Sequence, residues 1–520
     1  MRKNIISFLL FCLLGGLFFT SCSEPYDIAI VGGTIVDGTG SKSYQADIGI
    51  RKDIIMTIGS LNASEAQMVI GAQGKYVVPG FIDMHTHSDN IRDRRRKEAL
   101  NYLTQGVTTM VTGNCGSGTY EVAEFFSKLE EQGIGTNIVH LVGHGTVRRS
   151  VMKDADREPT EDEIQRMKSL VEKAMQEGAA GLSTGLFYAP GSYAKTEEII
   201  ELGKVVNKYG GFYASHVRDE SDYTIGLKAA ISEAIEIGEK SGVPVQISHI
   251  KALGKSVWGQ AEEVCQIIEA AQKRGVTVYA DQYPYNASST ALSAAVVPRW
   301  VQADGRMRHR LRDAELLPKI KKEVEENIER RGGAETLVIS SFPKKPEWEG
   351  KNLKDISAIM NKSEVDTAIE LVLTGGPGII SFNMSDADVE YFMGKPYVMT
   401  GSDGSVVVLD RGKPHPRNYG TFPRKIRSYV LDKNVLSMEQ AVRSATGLPA
   451  EMLGFKDRGL LKESYVADIL IFDPARIQDR ATFADPHRYS LGVDYVLVNG
   501  KIVIRQGEFT GTLAGKPLRK

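Results

Sequence analysis

Two histidines spaced two residues apart close a short apolar run, Val77-Val78-Pro79-Gly80-Phe81-Ile82-Asp83-Met84-His85-Thr86-His87. Side chains alternate faces along a strand, so His85 and His87 point the same way. Paired imidazoles at a strand end either stand in solvent or share a cation, because burying them unpartnered is costly. The spacing alone leaves both readings open. Other residues of the same chemistry at corresponding places decide it: Cys115 in Thr112-Gly113-Asn114-Cys115-Gly116, His216 in Tyr213-Ala214-Ser215-His216, His249 in Ile247-Ser248-His249, and Asp403 in Thr400-Gly401-Ser402-Asp403-Gly404. Four of the nine histidines, a cysteine flanked by glycines and an aspartate thus stand at the ends of separate apolar runs. Imidazole with thiolate favours zinc over magnesium or calcium. The other reading of Cys115, as core filler, fits Cys265 instead, which sits in the amphipathic pattern Ala261-Glu262-Glu263-Val264-Cys265-Gln266-Ile267-Ile268.

Positioning these groups takes an alternation of strands and helices. The patterning predicts strands over Tyr76–His87, Val107–Cys115, Asn137–Val142, Ala179–Thr184, Gly211–His216, Pro244–His249, Val276–Tyr283 and Tyr397–Ser402, with helices such as Glu161–Gln176, Thr196–Tyr209, Thr224–Ser241 and Gly259–Arg274 between them. Strands alternating with helices imply parallel βαβ units, and eight of them imply an α/β fold, a (β/α)₈ TIM barrel with its chemistry at the C-terminal strand ends. The barrel is placed over residues 76–454. A segment over about 298–396, with a charged helical run from Arg306 to Arg331, is too long for a loop and is placed as an inserted subdomain over the barrel mouth. Residues 22–75 and 455–520 read as short strands with glycine turns and are expected to pair into one small composite β-sandwich domain.

Composition is that of an ordinary globular chain of 520 residues, 42% hydrophobic and 25% charged. A formal net charge of −1 argues against nucleic acid as a partner. Arg2 and Lys3 precede an apolar stretch from Ile5 to Phe19, which ends in Leu17-Phe18-Phe19-Thr20-Ser21-Cys22. This fits a signal peptide over residues 1–21 of the bacterial lipoprotein type, with Cys22 lipidated and the remainder outside the cytoplasm, held at the envelope by its lipid anchor alone. With Cys12 and Cys22 so assigned, two of the four cysteines remain, too few for a disulfide framework.

From Ile30-Val31-Gly32-Gly33-Thr34-Ile35-Val36-Asp37-Gly38 to Val496-Leu497-Val498-Asn499-Gly500 the chain resembles the amidohydrolase superfamily, in its N-acyl-D-amino-acid deacylase (D-aminoacylase) branch. The most specific matches are Gly113-Asn114-Cys115-Gly116, Gly181-Leu182-Ser183-Thr184-Gly185-Leu186, the His216 segment and His415-Pro416-Arg417-Asn418-Tyr419-Gly420-Thr421-Phe422-Pro423. The resemblance implies a distorted barrel of the metallo-dependent hydrolase type with a composite β-domain, and zinc as cofactor. It implies a tight zinc site at Cys115, His216 and His249, and a weaker second one at His85, His87 and Asp403. Asp403 is the expected general base and acid. Lys251, Tyr283, Ser289 and Arg417 are the expected substrate contacts, and His144 is expected to support the ligands from behind. The strand-four segment lacks the lysine that bridges two metals in dihydroorotases and hydantoinases, which this layout also resembles. The substrate so implied is an N-acyl-D-amino acid. A dipeptide ending in a D-residue, a cyclic amide, and a non-catalytic metal-binding role as a solute-binding lipoprotein stand as alternatives.

Overall fold

The computed structural model describes residues 26–409 and 411–520. Cys22 and the lipoprotein signal expected before it lie outside the described residues.

Eight parallel strands form the central sheet: Phe81–Asp83, Val107–Thr112, Asn137–Gly143, Gly181–Gly185, Phe212–His216, Val245–Ile247, Val278–Gln282 and Val398–Thr400, each paired with its neighbour in that order. Most are buried on both faces, as parallel strands under helices must be. The helices do their part by amphipathicity. Glu161–Gln176 opens on a capping box between Thr160 and Glu163 and turns Met167, Val171, Ala174 and Met175 to the core. The expected helix Glu161–Gln176 is reproduced, and the strands differ from expectation mainly at their ends.

The ring closes irregularly. The first and last strands form no ladder; instead Met84 N donates to the Thr400 carbonyl (3.3 Å), Asp403 N to the His85 carbonyl (2.8 Å) and His87 N to the Gly404 carbonyl (2.6 Å). The distortion of the barrel therefore falls where His85, His87 and Asp403 are placed.

One expected strand is two. Tyr76–Pro79 pairs with Ile469–Phe472 and with Thr34–Ile35 in the terminal domain, whereas Phe81–Asp83 belongs to the barrel. Gly80 is the break, packed so tightly that a Cβ there would lie 2.3 Å from Thr108 Cγ2. The terminal domain is a nine-stranded mixed sheet in which a block of strands from each chain end meets along the Tyr76–Pro79 and Ile469–Phe472 pair, with its own core of Ile30, Ile48, Ile55, Val77, Ile469 and Ile471. A buried pair, Arg458 with Asp468, hydrogen-bonds onward to Asn499 and Asn137 and joins this sheet to the barrel.

The inserted subdomain begins before the expected residue 298 and ends before 396. Its antiparallel sheet is built from Ser288–Ala291, Gly378–Ser381 and Leu337–Ser341, over a separate core that includes Leu292, Ile320, Val324, Leu337 and Leu353. The helix Asp386–Met393 packs through Val389 and Phe392 on the barrel core instead. Pairing of Ser288–Ala291 with a strand so distant in sequence leaves no local pattern, which is why the charged helices mark the insertion more visibly than its edges do. Among the described residues no helix is long and apolar enough to cross a membrane.

Candidate metal centre and substrate cleft

Each chemistry-bearing residue is delivered by a strand end. His85 and His87 follow the first strand, Cys115 sits in the turn after the second, His216 ends the fifth, His249 follows the sixth and Asp403 follows the eighth. The turn at Cys115 is tight: Gly113 has φ +84, and a Cβ on it would lie 2.2 Å from the Leu141 carbonyl oxygen. Cys115, His249 and Asp403 themselves adopt left-handed backbone, with φ of 53°, 36° and 50°. L-residues reach that region at a cost, and residues held there concentrate at functional sites.

Cys115 Sγ stands 3.5 Å from His216 Nδ1 and 3.7 Å from His249 Nε2, and these two nitrogens are 2.8 Å apart. A tetrahedral zinc ion holding a thiolate and an imidazole places sulfur and nitrogen about 3.5 Å apart. His85 Nε2 is 3.4 Å from the same sulfur. Two groups of metal-capable donors result, Cys115 with His216 and His249, and Cys115 with His85 and His87, the donor atoms within each lying within 4.8 Å of one another. Cys115 is common to both, so the thiol belongs to the second group as well as the first.

The electrostatics favour a cation at this point. Burial pushes the Cys115 thiol up, but the charges of His85, His87 and His216 outweigh it and hold the thiol well below its ordinary range. Burial likewise opposes charge on His85, yet Asp281 and Cys115 raise it well above the ordinary imidazole value. His216, where burial dominates, is lowered. An anionic sulfur thus draws positive charge from the imidazoles around it. A divalent cation supplies that charge to the same atoms, so the donor set fits zinc.

Asp403 joins the two halves of the site. Its Oδ1 lies 3.2 Å from His87 Nε2 and 3.7 Å from His85 Nε2, and its Oδ2 lies 3.0 Å from Arg417 Nη1. Burial pushes its carboxyl up; Arg417, the hydrogen bond from His87 and the charges of His249 and His85 outweigh this and keep it well below the ordinary carboxylate range. These groups face a cleft of about 370 Å³ that Ser289, Thr290, Tyr188 and Pro190 also line. A larger cavity of about 770 Å³ lies beside it, between the barrel rim and the insertion. The two share one turn, with Phe187 facing the larger space and Tyr188 the smaller. His87, Cys115, His216 and His249 line the smaller one, with His85 buried beneath them.

The expected substrate contacts divide. Arg417 and Ser289 line the cleft, although the Ser289 hydroxyl donates to the Ile379 carbonyl within the insertion's sheet. Lys251 and Tyr283 lie behind it, 5% and 2% exposed. Two cations approach the Tyr283 ring, the Arg417 guanidinium at 4.7 Å and Lys251 Nζ at 5.8 Å. Tyr283 Oη and Arg417 Nε are buried and have no hydrogen-bond partner among the described residues, a set of donors suited to an anion. His144 stands apart from the ligands. Its Nε2 is 2.7 Å from Glu198, which also holds Arg148, and its Nδ1 faces Gly191 in the cleft wall.

Two carboxylates that the sequence reading passed over prove central. Asp281 accepts from His249 N (2.9 Å) and approaches His85 Nδ1 (3.4 Å). Glu220 pairs with Lys251 (2.5 Å) and His249 (3.0 Å). Their positions, just inside the end of the seventh strand and four residues after His216, were the available signals.

A model of the amidohydrolase family matches residues 68–334 and 393–504. A D-aminoacylase of Alcaligenes xylosoxydans xylosoxydans is 37% identical over 96% of this chain and 99% of that protein. A solved D-aminoacylase, described as having a binuclear metal centre with one-metal activation and second-metal attenuation, superposes with a TM-score of 0.83 at 35% identity, over 95% of this chain and 100% of the other. The N-acyl-D-glutamate deacylase of Bordetella bronchiseptica, solved with zinc and a phosphonate mimic of the tetrahedral intermediate, superposes with a TM-score of 0.82 at 33% identity, over 96% and 100%. The metal-capable cluster at the strand ends, the irregular closure of the ring and this likeness along nearly the whole chain make the protein a member of the amidohydrolase family, in its D-aminoacylase branch.

Proposed function

We propose that this protein is a zinc-dependent hydrolase that removes the acyl group from N-acyl-D-amino acids. The observation that carries the reading is Asp403, a buried carboxylate placed beside the Cys115–His216–His249 cluster and held by a cation at its far oxygen. A non-catalytic binding protein has no use for such a proton acceptor. The D-preference and the acyl substrate are supported by the relatives, two of which are named for D-amino-acid deacylation.

Cys115, His216 and His249 would hold the essential zinc, and His85 and His87 with Asp403 a weaker second ion that shares Cys115. When bound, zinc supplies Lewis acidity to the acyl carbonyl and to the attacking water. Asp403, a carboxylate at neutral pH, accepts the water's proton through Oδ1. It returns that proton to the amide nitrogen, which would otherwise leave as an unstable anion. Arg417 offers donors to the substrate's free carboxylate, with Tyr283 and Lys251 behind it. Ser289 borders the same space, and His144 braces the wall at Gly191.

The alternatives find less support. Among the described residues lining the cleft, Asp403 is the one carboxylate, and it faces Arg417. A dipeptide's free α-amine therefore meets no spare acid. The fourth strand, Gly181–Gly185, offers no lysine for a bridging carbamate of the cyclic-amidase type. The deciding experiment is hydrolysis of N-acetyl-D-, N-acetyl-L- and L-Xaa-D-Xaa substrate sets by the zinc-loaded protein. Release of free D-amino acid from the first set is expected. Zinc binding without turnover of any amide would return the protein to a binding role.

The Arg2-Lys3 start, the apolar stretch to Phe19 and Ser21-Cys22 support a lipid anchor on Cys22 and a place at the cell envelope. Radiolabelled fatty acid should enter the parent chain and not Cys22→Ala; equal labelling of both would remove the anchor.

A further inference from the structure

Behind the ligand cluster, on the side away from Cys115, a single carboxylate faces both imidazoles of the proposed zinc site. Glu220 lies just past the fifth strand and is 6% exposed. Its Oε1 is 3.0 Å from His249 Nδ1, and its Oε2 is 4.0 Å from His216 Nε2. These are the ring nitrogens not turned toward the sulfur: His216 faces Cys115 through Nδ1 and His249 through Nε2. The buried His216 Nε2 makes no hydrogen bond among the described residues, and Glu220 approaches it by charge alone.

His249 Nδ1 has two suitors. Lys251 Nζ stands 2.8 Å from it and Glu220 Oε1 3.0 Å. A neutral imidazole carries one N–H and one lone pair. Once Nε2 gives its lone pair to a cation, the ring proton must sit on Nδ1. There it can donate to Glu220 but can accept nothing from Lys251. Glu220 also binds Lys251 directly, at 2.5 Å, so one carboxylate can accept from both the ammonium and the ring N–H.

We propose that Glu220 is a positioning residue of the metal centre: it sets the tautomer and orientation of His249 through Nδ1 and places its charge beside His216. This rests on the assignment of Cys115, His216 and His249 as zinc ligands. A carboxylate behind a ligating histidine raises the ligand's basicity and typically contributes ~10–100-fold to metal affinity. Here the carboxylate bonds one ligand and lends its charge to the second.

The test is zinc affinity, measured on the full chain by competition with a chromophoric chelator, for the parent, Glu220→Gln and Glu220→Asp. The visible spectrum of each Co²⁺-loaded form is recorded beside it. Glu220→Gln should weaken zinc ~10–100-fold and shift the Co²⁺ bands. Glu220→Asp, which keeps the charge on a shorter arm, should recover part of both and serves as the test by itself if the glutamine variant does not fold. Unchanged zinc affinity and unchanged Co²⁺ bands in the folded variants would overturn the proposal and leave Glu220 as a counter-ion to Lys251. A parent protein that takes up no zinc would overturn the zinc assignment itself, a result separable from the first because it appears without any substitution.

Discussion

Arg417 Nη1 and Asp403 Oδ2 stand 3.0 Å apart, so the residue expected to grip the substrate's carboxylate also restrains the residue expected to move the proton. On the proposed roles, one guanidinium would couple substrate binding to proton transfer. Asp403→Asn keeps the shape and removes the proton acceptor. It should retain the fold and the tightly bound zinc while kcat falls by ~10²–10⁴-fold. Metal analysis beside steady-state kinetics checks this, and turnover near that of the parent would remove Asp403 from the chemistry.

Arg417→Met should raise KM for carboxylate-bearing substrates. It should also move the acid limb of the pH–rate profile upward. Burial pushes the Asp403 carboxyl up, and Arg417 is the foremost charge opposing it, so loss of that charge raises the pH at which Asp403 becomes a base. Arg417→Lys keeps a charge without the two-pronged geometry and should fall between the two. An acid limb that stays in place in Arg417→Met would separate the two residues.

Cys115 is shared by both donor groups, whereas His216 belongs to one and His87 to the other. Cys115→Ala should abolish tight zinc binding and activity together. His87→Ala should leave the first zinc in place, because His87 is absent from the Cys115–His216–His249 group. Metal content after dialysis against a weak chelator distinguishes the two variants. Tight zinc retained by Cys115→Ala would contradict the assignment.

Lys425 is buried, hydrogen-bonded to Thr400 (2.9 Å) and Ser444 (2.7 Å), and burial alone lowers it to about 7. Between pH 7 and the ordinary lysine range the unfolded chain binds a proton that the folded chain does not. Unfolding free energy therefore rises with pH through this window, and the penalty for charging Lys425 is fully present below about 7. Lys425→Met should melt higher than the parent at pH 6, with the gap closing toward pH 10. Both hydroxyls keep other company, Ser444 on the Ala441 carbonyl and Thr400 near Ser444. A melting difference independent of pH would show that Lys425 is charged in the fold.

The parts of the site that were legible from residue patterns are those fixed by local order. His85, His87, Cys115, His216, His249 and Asp403 each follow an apolar run, and a parallel barrel gathers such ends at one mouth. The division of Tyr76–His87 between two sheets was not legible, because the apolar pattern runs through Gly80 unbroken and only the close approach of Thr108 shows the break. Glu220 and Asp281 stood in plain view, yet a carboxylate near a histidine in sequence is ordinary. Their role comes from which ring nitrogen each one meets. Tyr283 is expected at the substrate by resemblance, and Lys251 also because it stands two residues after His249 on the same strand face. The structure sets them behind the cleft, where the Tyr283 ring meets both Lys251 and Arg417.

The left-handed backbone at Cys115, His249 and Asp403 sets working chemistry against robustness in this molecule. Such conformations cost roughly 1–3 kcal/mol each in non-glycine residues, and glycine enters them freely. A library of this chain screened for heat resistance alone would drift toward glycine at these three positions, and its hardiest descendants would have lost a thiol, an imidazole and a carboxylate from the cluster. Any effort to toughen the protein has to select on turnover at the same time, or it will refine a barrel that does nothing.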